Sequence, residues 1–174
     1  MKKLVLLMTA VAVMFVTGCQ GAPPPGAEQP IPVVDAQNFT NVMDREWRLV
    51  SVLANGESIG FNRADLLDIS EDWFENAFSI FFENTVDGNH LSGMGAPNRY
   101  FSGFTLGENR AISIPMVAST QMAAFLELEA LREHDFFFFI SNVREWNLAG
   151  VGQSDLELFS TGPDGEEIVL IFEN

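Results

Sequence analysis

The chain has one cysteine, Cys19, and two histidines, His90 and His134. A single thiol excludes an internal disulfide, and one cysteine with two isolated histidines falls short of the four ligands a structural zinc site takes. Lysine is confined to Lys2 and Lys3, so the chain beyond them sets seven arginines against 24 acidic residues, a net charge of −17. A surface of that sign repels phosphate backbones and anionic headgroups, which argues against nucleic acid as a partner and against a polybasic membrane contact. The acids are spread along the chain as on a solvated surface, and no block is long enough to serve as an interaction tail. An apolar run able to span a bilayer is also missing, since Leu4–Val16 has thirteen residues where about 20 are needed.

Catalytic patterns are equally scarce. The stretch GMGAPNRYFSGFTL, residues 93–106, opens on Gly-x-Gly, but Pro97 and an extended segment follow where a phosphate loop needs a helix N-terminus. No serine stands in a nucleophile-elbow context, TVDGNH and GPDGEE lack calcium-loop spacing, and nothing singles out a carboxylate pair for glycoside cleavage. No cofactor, metal site or catalytic residue is expected.

What is present begins at the N-terminus. Lys2 and Lys3 followed by Leu4–Val16 read as a secretory signal peptide over residues 1–18. The next residues, VTGC, place small side chains ahead of Cys19 and resemble the bacterial lipobox, which implies cleavage after Gly18 and a diacylglycerol on the Cys19 thiol. The alternative is an unmodified buried cysteine behind an ordinary signal peptide. Each buried methylene contributes about 0.8 kcal/mol, and two or more acyl chains hold a protein on a membrane where one is marginal. Gln20, in place of aspartate, favours the outer membrane, facing the periplasm. Residues 19–43 are rich in proline and read as a semi-rigid tether, leaving 44–174 as one domain with a single core.

Within that domain, REWRLVSVLA (45–54) alternates as a strand, with Trp47, Leu49 and Leu53 on one face and Arg48, Val50 and Val52 on the other, and Asn55-Gly56 turns it. Residues 58–76 fit a short helix or a packed loop. Strands follow at 77–84, from His90 after the Asp87-Gly88 turn, at 99–106 and at 110–115, a spacing that predicts an antiparallel meander. Residues 119–143 lack Gly and Pro and repeat apolar residues at three- and four-residue steps, which predicts one long helix capped by Ser119 or Thr120. Its end, DFFFFI, is apolar all round, so Phe136–Ile140 is either core or an offered surface. Three strands close the chain, the last two joined by GPDG; residues 168–172 are apolar on both faces, which places that strand inside the sheet.

In this order stand Trp47-Arg48-Leu49, Leu91-Ser92-Gly93 after Asp87-Gly88, Asn98-Arg99-Tyr100 before Gly103, Ala118-Ser119-Thr120 ahead of Met122-Ala123, Glu133, Trp146-x-Leu148, and Leu156-x-Leu158. From about Asp44 to Phe172 the chain resembles the META domain family, which includes heat-shock-J-like bacterial envelope lipoproteins. It departs where many members carry Gly-Cys-Asn, here Ala96-Pro97-Asn98, and a cysteine at the place of Ala124, so a role attached to such a cysteine pair does not transfer. The resemblance implies an α+β fold, mainly antiparallel β, with a small barrel-like sheet and one long helix packed on it. The expected function is that of a non-catalytic, membrane-anchored envelope lipoprotein that binds a protein partner or an apolar ligand, in envelope maintenance or stress response. Asn98, Arg99, Tyr100, Phe138 and Phe139 are its candidate binding surface. The alternative is a hydrolase using surface carboxylates, and cavity geometry separates the two: an open Phe-lined slot fits binding, two facing carboxylates fit catalysis.

Overall fold

The computed structural model describes residues 36–67, 75–122 and 129–174. The signal peptide, Cys19 and the tether as far as residue 35 lie outside them, as do Ile69, Trp73 and Phe74 of the second segment, and Ala124, Phe125 and Leu128.

Alternating side chains and tight turns produce two antiparallel meanders. One is β3 (Ser79–Thr85), β4 (Gly88–Met94) and β5 (Arg99–Gly103); the other is β9 (Glu145–Ala149), β10 (Asp155–Thr161) and β11 (Glu167–Glu173). β1 (Glu46–Ala54) joins them, pairing with β3 through Glu46–Arg48 and with β11 through Arg48–Ala54. Two-residue β2 (Glu57–Ser58) folds back on β1 across Asn55-Gly56, both in the left-handed conformation that a tight hairpin turn requires. As its two apolar faces predict, β11 lies inside the sheet, between β1 and β10.

β1 departs from simple alternation. Its pairing with β11 shifts register between Leu49 and Ser51, and a one-residue slip exchanges the faces of a strand. Val52, not Leu53, therefore joins Trp47 and Leu49 in the core. Arg63, in α1 (Arg63–Leu67), donates to the carbonyls of Leu49, Ala77 and Glu75, tying β1 to the segment that leads into β3. Burial there lowers its guanidinium pKa, with nearby Arg48 adding to the effect.

The sheet does not close into a barrel. Its path runs β8-β5-β4-β3-β1-β11-β10-β9, with β8 (Ala118–Ser119) at one end and β9 at the other. The expected strand 99–106 is broken at Phe104, which turns inward and leaves β6 (Thr105–Leu106) to pair with β7 (Ile112–Ser113) as a separate two-stranded piece. That piece meets β9 through an Ala111–Glu145 bridge, and the Ile112 and Trp146 amides donate to the carbonyls of Arg144 and Arg110. The free edge of β9 is thereby covered.

The long helix is also corrected. α2 is Glu133–Ser141, nine residues, while Ala118–Ser119, where the expected helix would start, pairs with Phe101 and Tyr100 of β5. Thr120 continues the pairing, its amide donating to the Arg99 carbonyl, and the Asn98 carboxamide grips both backbone groups of Met122. Neither Ser119 nor Thr120 caps α2: its N-cap is Arg132, which makes no side-chain capping bond. Glu133 and Asp135 place negative charge in its first turn, where the helix dipole favours it.

Phe136, Phe139 and Ile140 face the sheet at helical spacing, with Phe136 edge-on to Phe78 and Tyr100. Phe139 is only 8% exposed and Phe138 is half-buried against the same cluster, so this part of the aromatic run is core. The core also reaches into the segment assigned to the tether. A 3₁₀ turn at Ala36–Asn41 buries Phe39, whose ring packs against Phe82, Phe104 and Trp146 at centroid distances of 5.3, 5.5 and 4.8 Å. Val42 is buried beside it, and its carbonyl accepts from the Trp47 indole at 2.9 Å. Residues 36–43 thus belong to the folded unit.

Candidate functional site

The end of β4 and the segment that leads from it to β5 make close approaches that glycine permits. A Cβ on Gly93 would collide with the Ser79 carbonyl and the Tyr100 ring, and one on Gly95 would stand 2.5 Å from Glu133 Oε1 and 2.8 Å from the Phe137 ring. The two glycines therefore serve packing between neighbours, not a phosphate. Into the space that Gly95 leaves, α2 sends Glu133. Its Oε1 accepts from the Ala96 and Asn98 amides, both at 2.6 Å, and Oε2 accepts from Asn98 Nδ2 at 2.7 Å. Asn98 Oδ1 accepts in turn from the Thr120 hydroxyl at 2.9 Å and the Met122 amide at 2.6 Å. One carboxylate and one carboxamide so tie three chain segments together, with charge-assisted bonds of the stronger kind.

Tyr100 points inward from β5, 1% exposed, and its hydroxyl donates to the Ser79 carbonyl at 2.8 Å. Burial raises its phenol pKa well above the ordinary value. On the opposite face of the same strands lies a groove of about 600 Å³. Cross-strand register aligns Glu46, Phe81, Ser92 and Phe101 across β1, β3, β4 and β5, a row spanning about 14 Å at the usual strand spacing. The adjacent row is Arg48, Ser79, Met94 and Arg99. Phe81, Met94 and Phe101 make an apolar floor, and Phe101 is 62% exposed. At the rim, Arg48 Nη2 donates to Glu46 at 2.8 Å and to Asn76 at 3.3 Å, whereas Arg99 is exposed and has no side-chain partner among the described residues.

The candidate surface named from the sequence divides here. Asn98, Tyr100 and Phe139 are buried and hold the fold, Phe138 is half-buried in packing, and Arg99 alone presents its side chain to the groove's solvent side. Phe81, Ser92, Met94 and Glu46 escaped sequence reasoning, though an aromatic at the solvent-facing phase of both β3 and β5 was a readable signal. Among the described residues, no two carboxylates face each other across the groove. Its one acidic residue among the described residues, Glu46, is already bonded to Arg48. His90 lies on β4 and His134 is exposed on α2, and no cluster of three metal-ligating side chains occurs among the described residues. Among them, too, no helix is long and apolar enough to cross a membrane.

With this geometry in hand, comparison with known proteins adds two findings. Residues 40–171 match the META domain. A solved structure of a protein from Burkholderia xenovorans, determined by NMR, is similar in fold, with a TM-score of 0.56, 16% identity, and coverage of 87% of this chain and 97% of that one. No curated protein matches.

Proposed function

The chain belongs to the META domain family, and from that premise we propose that it is a non-catalytic binding module of the bacterial cell envelope, anchored through acyl chains on Cys19. The groove on the outer face of β3, β4 and β5 is its binding face, and the occupant is an apolar group presented by a protein partner. The observation that carries this reading is the groove itself: Phe81, Met94 and Phe101 form an apolar floor on a sheet face that ordinarily carries polar residues. A hydrolase needs converging groups, and Glu46 held by Arg48 does not supply them.

Anchoring rests on VTGC at residues 16–19 and on the basic, apolar segment before it. The proline-rich residues up to 35 then act as a spacer between membrane and domain. Service in envelope maintenance or stress response follows from the family resemblance.

The experiment is co-purification of the full chain from detergent-solubilised envelopes, comparing wild type with Phe81→Ser/Phe101→Ser. The proposal expects a partner recovered with wild type and lost with the double variant while its thermal melt is unchanged. Equal recovery by both proteins would remove the groove from the account. In parallel, Cys19→Ser should abolish radiolabelled fatty acid incorporation and release a folded domain; label persisting in that variant would contradict the anchor.

A further inference from the structure

Resting on the groove being the binding face, we infer that its occupant is a protein segment presenting an apolar side chain beside a carboxylate, with Arg99 pairing the carboxylate.

Charge is the first argument. The chain has 24 acidic residues and nine basic ones, so an arginine has acids in excess to pair with. Arg48, Arg110, Arg132 and Arg144 each pair with a carboxylate, and Arg63 donates to three carbonyls. Arg45 and Arg99 have no side-chain partner among the described residues, and of these two only Arg99 borders the groove. It stands one row from Phe101 on β5 and directly across from Met94 on β4. A guanidinium offers a planar fork of donors that matches a carboxylate, and here the fork is left open beside an apolar floor.

Openness is the second argument. Small-molecule sites bury 70–90% or more of the ligand, and a floor with Phe101 62% exposed leaves a small guest largely in water. A protein segment brings its own mass to cover the groove. The apolar anchor then sits on Phe81 and Phe101 while its neighbouring carboxylate reaches Arg99. That carboxylate comes from an acidic side chain or from a chain terminus, which are chemically alike to the guanidinium.

The test uses the folded chain with ¹³C-methyl methionine, reading the Met94 signal during titration with three acetylated probe peptides. One ends in Leu-Phe with a free carboxylate, one is its C-terminal amide, and one is the amide carrying a Glu after the Phe. The inference expects Met94 to shift with the carboxylate peptides and affinity about fivefold above the neutral amide, the strength of an exposed ion pair. Arg99→Gln should erase that difference and leave the amide's affinity unchanged, whereas Arg45→Gln should preserve it. Preference for only one acidic peptide identifies the carboxylate's source. If acid and amide peptides shift Met94 with equal affinity, the groove stands and the role of Arg99 is overturned. If no peptide shifts Met94 at millimolar concentration, or oleate does so and the peptides do not, the protein segment as occupant is overturned.

Discussion

Tyr100 is the chain's one tyrosine, buried against Phe136 with its hydroxyl on the Ser79 carbonyl, so its ionisation reports a single site in the core. Its folded pKa is raised above the unfolded value by burial, so the neutral phenol is the form the fold favours. The resulting stability is fully present below about pH 10 and declines as pH rises through the unfolded pKa towards the folded one. The expected outcome is that absorbance at 295 nm shows no tyrosinate until circular dichroism shows unfolding, and that Tyr100→Phe flattens the alkaline fall in stability. A reversible titration near pH 10 in the folded protein would place Tyr100 at the surface. The neighbouring Asn98 has the same lesson: a residue type that suggested binding is saturated by bonds within the chain, among them those it makes with Glu133. The polar chemistry of the two is spent on joining α2 and the β8 edge to the turn between β4 and β5.

At the scale of elements, α2 does not begin at Ser119 because Ser119 and Thr120 pair with β5 and Met122 is bonded to Asn98. Three- and four-residue steps from Met122 onward are a helical signal, but Met122 is held by Asn98, 24 positions away, and no local pattern contains that bond. Strands were legible because alternation and turn residues are local, as at Asn55-Gly56 and along β11. The phase of Val52 was not, because the register shift opposite β11 depends on a strand over a hundred residues later. Within α2, position decides cost: Phe139→Asp places an unpaired charge in the core and should cost more than about 4 kcal/mol, enough to unfold the domain. Phe138→Asp, from a half-buried site, should cost about 1–2 kcal/mol and leave a cooperative urea transition. Similar midpoints for the two variants would mean that the helix face is wrongly oriented.

For the whole molecule, the folded unit is larger at its N-terminal side than composition suggests. Phe39 bridges both meanders through Phe82, Phe104 and Trp146, an aromatic anchor that a lone phenylalanine in a polar, proline-rich stretch does not announce. A chain of residues 36–174 should melt as residues 19–174 do. Residues 44–174, lacking Phe39 and Val42, should lose at least about 3 kcal/mol, roughly 10 °C in Tm, by differential scanning calorimetry. The groove was legible only in part. Arg99 was named from the sequence, but Phe81, Ser92 and Met94 become neighbours through register across three strands.

That register is also the basis of the functional reading, which assigns binding to one face of the sheet. The most direct measurement is site-specific photo-crosslinking in living cells, with benzoylphenylalanine replacing Phe101 in the groove or Val151, which is 99% exposed in the turn between β9 and β10. The account predicts a discrete protein adduct from position 101, absent from position 151 and lost when Phe81→Ser is added. Adducts of equal yield from both positions, or none from position 101 in cells that carry the protein at its normal level, would contradict it.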